Sequence, residues 1–210
     1  MMKKILFCLV LTALTSLVYS QSDKKATAIL NDLSAKTKSY KTIRIDFAYT
    51  MDNKKEAIHE KFSGTLLSKG DKYKLTVAGQ DVICDGKTMW TYMKDANEVN
   101  VNDVNANDDS FTPTKLLTNY TKEYKAKFIQ EKGNSQILEL YPLARGKSFT
   151  KVKLTIDKNL KQVKEFMIFD RSGSIFKYIV NKFITDQAID DKTFVFNKAS
   201  HPGVEVIDMR

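Results

Sequence analysis

The sequence predicts a mainly β fold: a strongly curved single antiparallel sheet, covered by two or more short helices, around an apolar cavity. Three observations carry that expectation. Apolar residues recur with period 2 from Ile43 to Phe196, turn motifs separate the stripes, and two stretches switch to helical spacing. Extended chain puts Ile43, Ile45, Phe47, Tyr49 and Met51 on one face and Arg44, Asp46, Ala48 and Thr50 on the other. A sheet this rich in large side chains must cover its apolar face, and two small helices fill a concave face only in part. The stripes also suit the packed core of a β-sandwich, and pattern alone leaves both open.

Of the 210 residues, the first 20 read as a cleaved signal peptide and 21–210 as a single exported domain. Lys3 and Lys4 precede the apolar run Ile5 to Val18, and Val18-Tyr19-Ser20 is an acceptable cleavage site before Gln21. The run falls short of the ~20 residues that a bilayer span needs. Cys8 leaves with this leader, so Cys84 remains alone and no intramolecular disulfide is expected. No cysteine follows the cleavage site to take a lipid anchor, so the mature chain is expected to diffuse freely. Removing the two leader lysines takes the net charge from +9 to +7. For an exported protein this does not point to nucleic acid. It reads as a solvated lysine-rich surface, with anionic lipid or an acidic partner as the functional alternative.

Residues 22–40 have helical period: Ser22 suits the cap, and Ala26, Ile29, Leu30 and Leu33 share a face opposite lysines and Asp32. Strands are then expected at 41–51, 57–68, 72–78, 80–84, 87–93, 97–103, 123–131, 135–141, 149–157, 161–170, 174–184 and 193–196. Turn chemistry separates them, as in Lys69-Gly70-Asp71, Asp85-Gly86 and Ser172-Gly173. One polar tract, Asn105 to Ser110, leads into a second short helix with Thr112 as cap, Pro113 in its first turn, and Leu116, Leu117 and Tyr120 apolar. In strand 174–184 two sets compete for the inward face: Phe176, Tyr178 and Val180, or Ile175, Ile179 and Phe183.

No catalytic set accompanies the strands. His59 and His201 lack partners at metal-ligand spacing, and Arg171-Ser172-Gly173-Ser174 is a hairpin turn without the glycine that precedes a nucleophile-elbow serine. Cys84 reads as a small strand residue, and the paired acids Asp108-Asp109 and Asp190-Asp191 read as solvated loops. Neither an enzyme, nor a metal, nor a cofactor is expected.

The run Ile83-Cys84-Asp85-Gly86-Lys87-Thr88-Met89-Trp90-Thr91-Tyr92 resembles a hairpin of LolA-type periplasmic lipoprotein carriers. Three further stretches resemble that family in the same order: Thr112-Pro113 with Leu116-Leu117, Leu138-Glu139-Leu140-Tyr141-Pro142, and Phe194-Val195-Phe196 followed by His201-Pro202-Gly203-Val204-Glu205-Val206. The resemblance covers essentially the whole mature chain. It implies an unclosed antiparallel β-barrel lidded by helices, working as a monomer in the periplasm. It implies a carrier that takes acylated lipoproteins from an inner-membrane ABC transporter and passes them to an outer-membrane acceptor. A lipid-binding sensor or an acceptor-like domain of the same fold, which does not shuttle, is the alternative. The family's lid-latching arginine is missing: Gly70 stands there, with Lys69 and Lys72 as candidate substitutes. For the lipid-binding cavity the expected wall is Ile43, Ile45, Phe47, Tyr49, Phe62, Leu66, Tyr73, Leu75, Trp90 and Tyr92. The expected lid is Ile29, Leu30 and Leu33 from the first helix and Leu116 and Leu117 from the second.

Overall fold

The computed structural model describes residues 23–104 and 123–210. The leader, the Asp108-Asp109 pair and the second helix with Leu116 and Leu117 lie outside the described residues. The chain opens with helix α1 (23–39), as its period predicts, and Ala26, Leu30, Leu33 and Ser34 are its buried stripe. Twelve strands follow: β1 (Ile43–Asn53), β2 (Ile58–Lys69), β3 (Lys72–Val77), β4 (Gln80–Cys84), β5 (Thr88–Met93), β6 (Glu98–Asp103), β7 (Tyr124–Lys132), β8 (Ser135–Pro142), β9 (Phe149–Asp157), β10 (Gln162–Asp170), β11 (Ile175–Thr185) and β12 (Glu205–Asp208). They form one unclosed sheet in the order β12-β6-β5-β4-β3-β2-β1-β11-β10-β9-β8-β7. Within β1 to β6 and β7 to β10 the pairings are antiparallel meander steps; β1 also pairs with β11, antiparallel, and β12 joins β6 in parallel.

One expected strand is corrected. Residues 193–196 are not a strand: Asp190 accepts a hydrogen bond from the Lys192 amide and caps a 3₁₀ turn, Asp191–Phe194, that buries Phe194 completely. Phe194 and Phe196 alternate like strand residues, but local capping by Asp190 decides the backbone here. The closing strand comes later, at Glu205–Asp208.

The chain divides into two compact units. In the first, described residues 23–36 and 123–171, the sheet β7 to β10 buries one face: Leu138, Leu140, Val152 and Leu154 are 0% exposed. Register places them together, with Leu138 opposite Leu154, Leu140 opposite Val152, and Leu154 opposite Phe166. Surface contacts fasten α1 to this unit. Asp23 pairs with Lys125 at 3.4 Å, Asp32 with Lys161 at 2.8 Å, and the Lys25 ammonium lies 3.8 Å from the Phe128 ring centre.

The second unit, described residues 37–104 and 172–210, carries β1 to β6, β11 and β12. A bulge lies on β11 opposite the Asp46–Phe47 step: Asp46 faces Lys182 and Phe47 faces Val180, leaving Asn181 as the extra residue. The bulge shifts the alternation by one. Phe176, Tyr178 and Val180 therefore share a face with Phe183, which ends the competition between the two sets in this strand, since each supplies part of the answer.

Candidate functional site

The register decides which expected wall residues meet. In antiparallel pairs, directly opposed residues project to the same face. Ile45 opposes Leu66, Leu66 opposes Leu75, and Tyr49 opposes Phe62 on one side and Tyr178 on the other. Ile43, Ile45, Phe47, Tyr49, Phe62, Leu66, Tyr73 and Leu75 thus share one face, joined by Met51, Val82, Met89, Phe176, Tyr178, Val180 and Phe183. Trp90 and Tyr92 are a correction. Trp90 opposes Ile83 and Tyr92 opposes Asp81, which places both on the opposite face.

Around Tyr92 that opposite face is covered by the chain's own C-terminal segment. Tyr92 packs with Val99 and Val204, against Trp90 and Phe196. His201 stacks on Phe196 with ring centres 4.6 Å apart and meets Tyr92 edge-on at 4.5 Å. The Tyr92 hydroxyl donates to Asn97 Oδ1 at 3.0 Å, and Asn97 Nδ2 donates to the Pro202 carbonyl. His201 therefore serves packing, and His59 hydrogen bonds Asp52 across the β1–β2 hairpin.

The aromatic face is different in kind. Tyr49 is the hub of a ring ladder across β2, β1 and β11, with centre distances of 6.0 Å to Phe62, 4.8 Å to Tyr178 and 6.4 Å to Phe176. The Phe47 ring lies over Gly64, where a Cβ would come within 2.8 Å of the Thr76 carbonyl oxygen. Glycine here admits the ring. Phe47 and Leu66 are buried, while Ile43, Ile45, Tyr49, Phe62, Tyr73 and Leu75 are only half-buried. The Tyr73 hydroxyl donates to the Met89 thioether, a weak acceptor, at 3.4 Å. Burial pushes the Tyr178 phenol above its ordinary range, with Tyr49 adding to it; burial and then the Glu60 charge raise Tyr49.

Charge divides the two faces. Every lysine and arginine in β1 to β6 and β11, namely Arg44, Lys61, Lys69, Lys72, Lys74, Lys177 and Lys182, lies on the face opposite the ladder. On the ladder face of these strands the ionisable acids are Glu60 and Glu98. Lys69 and Lys72, the candidate latch residues, both grip Asp191 of the C-terminal 3₁₀ turn, at 2.6 and 2.9 Å. They tie down the C-terminal segment and draw the Asp191 carboxyl down to about 2. Gly70 has φ +57, which a two-residue turn between Lys69 and Lys72 needs and an arginine would adopt only with strain.

The Asp85-Gly86-Lys87-Thr88 motif proves to be a turn device. Asp85 Oδ1 accepts from the Lys87 and Thr88 amides at 2.8 Å each, and Gly86 has φ +97. Cys84 beside it is 1% exposed.

Of the expected lid, Leu30 and Leu33 are fully buried. Ile29 instead lines a cleft of about 320 Å³ in the first unit with Ala28, Gln136 and Ile156. The lysines at its mouth are engaged: Lys158 pairs with Glu131 at 2.5 Å and Lys161 with Asp32 at 2.8 Å. Phe176, Tyr178 and Phe183 belong to the ladder face without having been expected there. Their alternation held the signal, but the bulge hid its phase.

Residues 38–197 match the family described as outer membrane lipoprotein carrier protein LolA. A protein of Histophilus somni strain 2336, named outer-membrane lipoprotein carrier protein, is 30% identical over 130 residues, 61% of this chain and 60% of that protein. The chain thus spans about three fifths of that relative's length. A protein of the same name from Pasteurella multocida Pm70 is 26% identical over 185 residues, 86% of this chain and 87% of that protein. Among solved structures, an uncharacterized conserved protein from Thermus thermophilus superposes with a TM-score of 0.60 at 12% identity, over 88% of this chain and 99% of that one. That likeness shows the fold alone.

Proposed function

We propose, because this chain belongs to the LolA family of outer membrane lipoprotein carrier proteins, that it is a periplasmic carrier and not an enzyme. It binds the acyl chains of lipoproteins on the ladder face of the second unit and shuttles them from the inner to the outer membrane. The observation that carries this reading is the half-buried state of Tyr49, Phe62, Tyr73 and Leu75 on a continuous apolar face. Its partners are the acylated lipoproteins, an inner-membrane ABC transporter that releases them and an outer-membrane acceptor.

The energetics favour a face of this kind. Burying a chain of ~16 carbons contributes roughly 10 kcal/mol gross, at about 0.8 kcal/mol per methylene. A carrier that kept all of it would not release its load. Rings that already cover one another across the ladder exchange one apolar contact for another on loading, so the net affinity is a difference small enough to be handed on. Ile29, Leu30 and Leu33 remain the proposed lid, with Leu116 and Leu117. The ion pairs that fasten α1 are exposed, each worth about 0–1 kcal/mol, so moving the helix costs mainly its apolar contacts.

The test is direct: purify the chain, mix it with a diacylated lipopeptide below its micelle concentration, and record native mass spectra and transfer to acceptor vesicles. A one-to-one complex that releases its load is the expected result. A folded chain that takes up no lipopeptide overturns the reading.

A further inference from the structure

The division of charge between the two faces goes one step further and, resting on the carrier reading above, names the head group that the site accepts. We propose that the ladder face selects its cargo by charge: it takes acyl chains carried on an uncharged glyceryl head and discriminates against the same chains carried on an anionic phosphodiester.

Three observations meet here. All seven lysines and arginines of β1 to β6 and β11 lie on the other face, as does His59, so a phosphate brought to the ladder finds no cation among these strands. Glu60 stands on the ladder face itself, opposite Met51 and one pair beyond Tyr49–Phe62, and is exposed. It would repel an anion arriving at that end. Finally, apart from Glu60 and Glu98, the polar side chains that these strands set on the ladder face are uncharged, among them Ser68, Gln80, Thr91, Asn100 and Asn102 beside the tyrosine hydroxyls.

An anion taken from water into apolar surroundings without a partner is strongly penalised, whereas an ester or thioether head needs little more than a hydrogen-bond donor. A carrier that loads at a bilayer meets phospholipids in vast excess, and their acyl chains offer it the same apolar area. Area alone therefore cannot separate cargo from solvent lipid. A face whose described strands carry no lysine or arginine separates them by what it refuses.

The experiment uses the full chain and three probes with the same two palmitoyl chains: an uncharged diacylglyceryl-cysteinyl peptide, dipalmitoylglycerol and dipalmitoylphosphatidylglycerol. Each displaces a neutral pyrene-labelled diacylglycerol, at concentrations where the lipids are monomeric. The expected result is that the two neutral probes agree within about threefold and the phosphatidylglycerol binds at least about tenfold more weakly. Glu60→Lys, at an exposed position, should narrow that ratio about fivefold or more, and Glu60→Gln by less. Phosphatidylglycerol binding as tightly as the neutral probes overturns the selection and leaves the carrier reading standing. An unchanged ratio in Glu60→Lys, with native circular dichroism, overturns the charge account as well. A folded chain that binds none of the probes overturns both this inference and the carrier reading.

Discussion

The sheet of the first unit and the ladder face of the second have the same alternation in sequence and opposite states in the fold. In β7 to β10, Leu138, Leu140, Val152 and Leu154 are shut off from solvent completely, in the unit that also holds the buried stripe of α1. In β1, β2, β3 and β11, residues just as apolar remain half-buried. Period 2 says that a face is apolar, not whether the chain itself will close it. The first region is a core, and on the proposed function the second keeps its area for cargo.

The sharpest way to break this comparison is to shorten one leucine in each region. Leu154→Ala should cost about 3–5 kcal/mol in urea unfolding, since a fully buried leucine leaves a cavity. Leu75→Ala should cost about 1–2 kcal/mol, yet weaken lipopeptide binding about tenfold. Equal stability losses with binding untouched would mean that the ladder face is ordinary core. Next in size is Gly64→Val, which forces the Phe47 ring and the Thr76 carbonyl apart. It should cost about 1–3 kcal/mol by overpacking and show as a lower urea midpoint.

A spectroscopic pair sharpens the contrast within the second unit. Trp90, under the C-terminal segment, should keep its emission maximum when lipopeptide binds. A tryptophan placed on the ladder, as Phe62→Trp in a Trp90→Phe background, should shift to the blue on loading. A shift from Trp90 alone would place the cargo on the wrong face for this account.

The smallest effect belongs to the C-terminal clamp. The Asp191 carboxyl is lowered to about 2 by hydrogen bonds from Lys69 and Lys72, below the roughly 3.9 of an unfolded aspartate. A depressed folded value means that its stabilising contribution is complete above about pH 4 and is lost as the pH falls toward 2. Protection factors of the amides along 191–208, corrected for the intrinsic pH dependence of exchange, should therefore fall over that window, and Asp191→Asn should flatten the dependence.

Much of the fold was legible in the residues. Helix α1 showed through Ala26, Leu30 and Leu33 at helical spacing, and eleven strands through alternation bounded by turns. Eight of the ten expected wall residues lie on one face because β1, β2 and β3 pair without a bulge. Trp90 and Tyr92 were misplaced because alternation within β5 carries no sign relative to β1. The sign accumulates through every intervening turn. Closing β2–β3 on Gly70-Asp71 and β4–β5 on Asp85, Gly86 and Lys87 sets Trp90 opposite Ile83 and not opposite Val82.

What the chain determined alone was therefore local: the period of each segment, the caps and the turns, all set by neighbours a few residues apart. The tertiary structure decided phase and closure. Whether Phe183 joins Tyr178 depends on one bulged residue, Asn181, and whether Phe194 lies in strand or 3₁₀ turn depends on Asp190. Whether an apolar face becomes core or site depends on what distant segment covers it. Burial is a property of long-range contacts, so no window of the sequence contains it.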